Sequence, residues 1–322
     1  MRESKGKAVV VGGSIAGVCA VQSLLSAGWE VVVLEKTTAP PTGSPTGAGN
    51  QAIDAEKKMS RILTRDESFN FRAAHWSDLH GLLYNALPPD IFLWGHVFQS
   101  FCVSDEKKSV KVQTKVLQTG NIVEFACDLL VAADGCLSSI RRAFFPDLKL
   151  RYSGYSAWRG VLDLSGDENS DIFAGLQKVY QDLGKCLYFD LGSGTHAVLY
   201  ELLNKKINWI CNYESKQQYD QENARATWCE EHKHDSDPLH QIVWDRVVLI
   251  GDAAHPTTPH GVRSTDMAIL DAAVPVLHSR KMGRMKQGLV LADGKVFDPI
   301  TATPQECKDL QQKCMPGFNN VP

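Results

Sequence analysis

The chain has no Cys-x-x-Cys pair among its nine cysteines. An odd count in 322 residues does not read as a disulfide framework. The thiols read as free groups in a reducing compartment, the cytoplasm. No apolar run reaches bilayer-spanning length. Met1 to Lys7 leads directly into the first apolar stretch, which leaves no room for a secretory leader. Charge of one sign is also lacking. A net charge of −3 gives neither nucleic acid nor an anionic membrane a reason to bind. Cys229, His232 and His234 stand close together, but a fourth ligand at suitable spacing is missing and the flanking residues are charged. That stretch reads as a solvated loop, and no metal site is expected. Internal repeats are absent too.

What is present is enough apolar material for a real core, 43% of residues. Residues 8–12 form a continuous apolar run, the pattern of a strand buried on both faces. Ile15 to Ser26 reads as a helix stopped by Ala27-Gly28, and Val31 to Leu34 as a second buried strand. This is a βαβ opening. A loop rich in Pro, Gly and Thr follows, from Pro40 to Gly49. Ser77 to Leu87 predicts a helix with Leu79, Leu82, Leu83 and Leu87 on one face, and Phe92 to Val97 a strand. Val110 to Val116 and Ile122 to Cys127 alternate around a Thr119-Gly120-Asn121 turn, and Leu129 to Ala132 is again fully apolar.

From Arg151 the texture changes to short β segments, among them 185–191, Thr195 to Leu202 and Ile207 to Cys211. An antiparallel sheet in a second domain is the natural reading. Asn212 to Ser236 is strongly polar and has little to bury. Val247 to Ile250 returns to the first domain's pattern. Met267, Leu270, Val274 and Leu277 then mark one helix face, with Pro275 placed to kink or end it. Thr303 to Glu306 is a capping box that opens a short helix. The domains therefore run 1–150 with 244–275 (discontinuous), 151–243 (inserted) and 276–322 (tail).

Three constellations carry chemistry. The first is the turn Gly12-Gly13-Ser14-Ile15-Ala16-Gly17, with Glu35 and Lys36 closing the second strand. Gly12 permits the tight strand-to-helix turn, Ser14 stands where a backbone approaches a pyrophosphate, and Gly17 lets the helix lie close to the sheet. Phosphates would sit on the helix N-terminal amides. Glu35, roughly 20 residues on, can accept from a ribose diol. The second is Asp134-Gly135 after an apolar strand, followed by Ser138 and Arg141; alone it is equally well an ordinary strand–turn–helix with an Asx cap. The third is Gly251-Asp252-Ala253-Ala254-His255, where Gly251 leaves room beside a strand end and Asp252 can accept from a ribityl hydroxyl. A phosphate cradle at the start and Gly-Asp after a late strand point to FAD rather than NAD as the resident ligand.

These residues together resemble the FAD-dependent aromatic hydroxylases, a flavoprotein monooxygenase family, and the run from Tyr152 to Gly160 resembles that family's substrate sheet. Thr258-Pro259-His260 is most like dihydroxypyridine-hydroxylase-like members and a plant group. The resemblance implies an α/β fold: a discontinuous, Rossmann-like FAD-binding domain with an inserted antiparallel β-sheet substrate domain. It also implies a reaction in which NAD(P)H reduces the flavin, O2 is taken up, and one oxygen atom passes to a small aromatic or heteroaromatic substrate. Gly12 to Gly17, Glu35, Lys36, Asp134, Arg141, Gly251 and Asp252 would hold cofactor; no catalytic side chain is assigned. His255 and His260 flank the expected flavin as candidate proton carriers, with structural roles the alternative.

The chain departs from the family at several points. Val262-Arg263-Ser264 replaces Gly-Gln-Gly, Asp266 stands where Asn is common, and Trp76 matches a position often held by an Arg, with Arg72 as a substitute. Compared with the family, the chain is short after Gly49, across 212–236 and beyond Ala272. A truncated form with a better-preserved FAD site than substrate pocket follows, and a catalytically impaired scaffold is the alternative function.

Overall fold

The computed structural model describes residues 5–40, 75–164, 171–181, 183–184, 188–202, 205–214, 229–257, 264–282, 289–290 and 296–297. Strand β1 (Lys7–Val11), helix α1 (Ile15–Ser26) and strand β2 (Glu30–Glu35) form the βαβ opening. They are followed by α2 (Trp76–Tyr84), β3 (Phe92–Trp94), β4 (His96–Val103), β5 (Val110–Val116), β6 (Ile122–Cys127), β7 (Leu129–Ala132) and α3 (Ser139–Phe144). The chain returns much later as β13 (Val247–Leu249), α5 (Ser264–Asp271) and α6 (Val274–Met282). Between lie β8 (Arg151–Asp163), α4 (Asp171–Val179), β9 (Tyr188–Gly192), β10 (Thr195–Leu202), β11 (Lys206–Glu214) and β12 (Cys229–Asp235).

The first sheet has the order β13-β7-β1-β2-β3, and every neighbouring pair in it is parallel. Parallel strands need cover on both faces, which is why these strands are apolar at consecutive positions. In β1, Ala8 and Val10 pack with Ile15, Val18, Val21 and Leu24 of α1. Val9 and Val11 face the other way, toward Val110 and Val112 of β5. A three-stranded antiparallel sheet, β4-β5-β6, thus covers the face opposite α1. Helix α1 ends in a Schellman motif: Trp29 N–H donates to Leu24 O and Gly28 N–H to Leu25 O, with Gly28 at φ +87°.

The second sheet is antiparallel, ordered β12-β8-β11-β10-β9. Its small apolar cluster is Leu164, Tyr180, Leu199 and Ile207, with Phe173 and Leu176 of α4 against it.

Several expectations need correction. The segment from Arg151 is a 13-residue strand, longer than the short β segments expected. The polar stretch after Asn212 is not all loop, because β12 lies within it and pairs with β8. Cys229, His232 and His234 are therefore strand residues. A sheet edge tolerates and often favours charged residues, so the polarity that suggested a loop suits an edge strand. Helix α4 was not anticipated. The strand foreseen at Phe92 to Val97 is two strands, β3 and β4, divided by Gly95 at φ +69°. Pro275 does not kink a helix but begins one: α5 ends at Asp271, and α6 starts at Val274 and runs past the boundary drawn at 275. The Pro- and Gly-rich segment beyond residue 40, most of which is 41–49, Arg72, Thr258 to Arg263 and the helix after Thr303 lie outside the described residues. Among the described residues, no helix is long and apolar enough to cross a membrane.

Candidate functional site at the strand ends

Because β2, β1, β7 and β13 are parallel neighbours, their carboxyl ends form one edge. The chain leaves β1 toward β2 on one side and occupies β7 and β13 on the other. Such a reversal opens a crevice at the ends of the central strands. All three constellations meet there.

The turn after β1 is fixed from both sides. Gly12 N–H donates to Leu34 O at 2.9 Å, and Ala133 N–H donates to Val11 O at 2.8 Å. Gly12 adopts φ +103°, and a Cβ there would lie 2.2 Å from Ala133 O. A Cβ on Gly17 would lie 2.0 Å from Gly12 O. Neither position can take a side chain without moving backbone. Ser14 is the exposed N-cap of α1 and makes no side-chain cap bond. The leading amides of Ile15, Ala16 and Gly17 thus form an uncapped helix N-terminus, the standard geometry for receiving an anion.

Glu35 is held in place before any ligand arrives. Its Oε2 accepts from Gly13 N–H at 2.7 Å and its Oε1 from Thr37 N–H at 2.9 Å. Each carboxylate oxygen keeps a further lone pair, so an anchored acceptor stands beside the turn. Lys36 is exposed next to it.

Asp134 and Arg141 direct most of their polar atoms into the protein. Asp134 Oδ2 accepts from Ser139 N–H at 2.8 Å and Ser138 Oγ from Arg141 N–H at 2.9 Å, so both cap α3. Arg141 is 2% exposed. Its Nη1 donates to the carbonyls of Asp252 (3.1 Å) and Ala253 (2.9 Å), and its Nη2 to that of Cys136. Burial lowers the pKa of this guanidinium, while Cys136, Asp134 and Asp252 oppose the shift. Asp134 Oδ1 and Arg141 Nε are buried without a hydrogen-bond partner. The second constellation is therefore the clamp that shapes the third.

Gly251 to Ala253 form a short 3-10 turn after β13. Gly251 sits at φ +58°, where a Cβ would lie 2.7 Å from the Ala16 Cβ. The late turn thus packs directly on the opening one. Asp252 is exposed, and its Oδ1 accepts from Ser264 Oγ at 2.9 Å. Asp271 Oδ2 accepts from Gly251 N–H at 2.8 Å and lies 3.5 Å from His255 Nε2.

Three residues of the site were not anticipated: Ser264, Asp271 and His80. His80 is buried in α2 with Nε2 2.7 Å from Gly13 O. Its ring stacks on Trp76 (5.0 Å) and Tyr84 (5.9 Å). The aromatic spacing of four along α2 was the available signal. Trp76 is 43% exposed and lies on this stack. His260 and Arg263 are outside the described residues. Among the described residues, no group of three or more His, Cys, Asp or Glu could hold a metal ion.

The same order of elements recurs in known proteins. The 6-hydroxynicotinate 3-monooxygenase of Pseudomonas fluorescens is 25% identical, across 88% of this chain and 85% of its own. The 2,6-dihydroxypyridine-3-hydroxylase of Arthrobacter nicotinovorans superposes with a TM-score of 0.63 at 19% identity, covering 87% of this chain and 85% of that one. The chain is a relative of the FAD-dependent aromatic hydroxylases. The aurachin C monooxygenase/isomerase of Stigmatella aurantiaca is 31% identical over 164 residues, which is 47% of this chain and 42% of that protein. No protein-family model matches the chain. Solved complexes of this hydroxylase fold carry FAD.

Proposed function

We propose that the chain is an FAD-dependent monooxygenase that hydroxylates a small aromatic or heteroaromatic compound with NAD(P)H and O2. The observation that carries this reading is the direct packing of the Gly251 turn on the Gly12–Gly17 turn. Two stretches far apart in the chain make one cradle, with acceptor carboxylates on its two sides. Glu35 ends β2 and Asp252 follows β13, three strand spacings away, roughly 14 Å. A ligand that engages both must lie extended across the strand ends, as a dinucleotide does.

The residues fit FAD. The glycine turn and the amides opening α1 would take the pyrophosphate, Glu35 the ribose diol, and Asp252 the ribityl chain. Bound there, the flavin supplies electron transfer from NAD(P)H and activation of O2. The protein's part is positioning. Arg141 and Asp271 fix the backbone from Gly251 to Ala253, so the Asp252 carboxylate is preset. The antiparallel sheet β8–β12 would supply the wall on which a planar substrate rests. His255, half-buried and close to Asp271, can hold a proton near the Asp252 turn. Lys36 stands where it can meet a phosphate or the ribose edge. The free thiols of Cys19, Cys102, Cys127, Cys136 and Cys211 fit a reducing, cytoplasmic setting.

Purified protein titrated with FAD should bind it to an endpoint at one equivalent and stay yellow after the free flavin is removed by gel filtration. The loaded protein should then oxidise NADH or NADPH faster when a matching hydroxybenzoate or hydroxypyridine is added. Failure to take up FAD would overturn the proposal. FAD uptake with NAD(P)H oxidation that no aromatic compound accelerates would leave the cofactor site but remove the hydroxylase.

A further inference from the structure

We propose that His80 is a positioning residue for the cofactor turn: its Nε2–H locks the Gly13 carbonyl and so aims the next backbone amide, that of Ser14, at the bound dinucleotide. This rests on reading the Gly12–Gly17 turn as the FAD cradle.

Gly13 has one donor and one acceptor on its backbone, and both are occupied. Its N–H goes to Glu35 Oε2 at 2.7 Å and its C=O meets His80 Nε2 at 2.7 Å. A carbonyl can only accept, so Nε2 carries the proton, which fixes the tautomer. No peptide bond in the described chain is cis. In a trans peptide the C=O and the following N–H point in opposite directions. With the Gly13 carbonyl drawn toward α2, the Ser14 N–H faces away from α2, to the open side where Ser14 is exposed. Fixing one carbonyl on the buried side therefore orients a donor on the ligand side.

The ring is held by its own helix. Trp76 and Tyr84, one turn before and one after, stack on it with interplanar angles of 21° and 12°. Tyr84 in turn meets Phe92 and Trp94 of β3 edge-on. The far side of Gly13 is padded by Glu35 and Phe92, which would lie 3.3 and 3.4 Å from an added Cβ. An apolar ring could fill the same space. A buried imidazole in that position is costly unless its donor is used, and the donor is used on the cofactor turn alone.

The test uses the full chain as wild type, His80→Phe, His80→Gln and His80→Asn. FAD affinity is read by quenching of flavin fluorescence, and folding of the FAD-free protein by circular dichroism and thermal melting. Phe keeps the stack without the donor and should weaken FAD binding at least tenfold. Gln can place an amide N–H near the Nε2 position and should recover most of the affinity. Asn is too short and should resemble Phe; it serves in place of Phe if that variant does not fold. Folded Phe or Asn variants that bind FAD like wild type overturn the proposal. So does a Gln variant as weak as Phe, which would leave His80 a packing residue. A wild-type protein that takes up no FAD overturns the reading of the turn itself, and this inference with it.

Discussion

His278 shows how a single side chain ties stability to pH. It lies in α6, its Nε2 donates to Asp245 O at 3.1 Å, and burial holds its pKa below the ordinary 6.5, against the raising effect of its carbonyl partners and Asp245. The folded chain thus binds this proton less readily than the unfolded chain. Above the unfolded pKa both states are neutral and the native state is favoured fully. As pH falls through 6.5 the unfolded chain is protonated first, and stability declines until the folded pKa is passed. His278→Gln should show a shallower loss of urea-unfolding free energy between about pH 6.5 and pH 5 than wild type. Residue type alone misled elsewhere at this scale. Leu82 and Leu270 were placed on apolar helix faces, yet they are 72% and 71% exposed. The small residues Ala268 and Ala272 are buried instead, where α5 and the turn after it pack against α1.

At the scale of elements, the decisive join is between α3 and the turn after β13. Arg141 makes it by donating to three carbonyls, two of them in that turn. Removing the guanidinium strands buried acceptors. Arg141→Ala should lower stability by roughly 2–4 kcal/mol in urea titrations. Arg141→Lys should restore only part, since one ammonium cannot span diverging carbonyls as a planar fork does. A second element-scale feature is β12, whose run Cys-Glu-Glu-His-Lys-His-Asp lacks the apolar alternation of the other strands. It holds its place by backbone pairing with β8, and it is joined to the start of that strand by Arg151, which bridges Asp235 and Asp237.

At the scale of the whole molecule, the carboxyl edge of the parallel sheet draws on segments far apart in the chain. A ligand that touches the turns after β1, β2 and β13 binds only when all are folded together. FAD at 100 times its dissociation constant should stabilise the protein by about 2.7 kcal/mol, read as a rise in melting temperature. Asp252→Ala should reduce that rise while leaving the FAD-free melting temperature near wild type, whereas Glu35→Ala should reduce the rise and also lower the FAD-free melting temperature, because it strands the Gly13 N–H. Equal rises in both variants would show that these carboxylates do not hold the cofactor.

The sequence by itself determined the parallel sheet, because strands buried on both faces must be apolar at consecutive positions, and Ala8–Val11 of β1, Val31–Leu34 of β2, and all of β7 and β13 are. It also determined the two glycine turns, since a strand end with positive φ and no room for Cβ admits little else. The antiparallel strands β5 and β6 were legible from their alternation. What only the tertiary structure decided was long-range in origin. An edge strand such as β12 needs a partner rather than a pattern. The roles of Asp134 and Arg141 as clamps depend on where the Gly251 turn comes to rest. His80 meets Gly13 only because α2 packs beside α1, a contact between residues far apart in the chain that local periodicity does not encode.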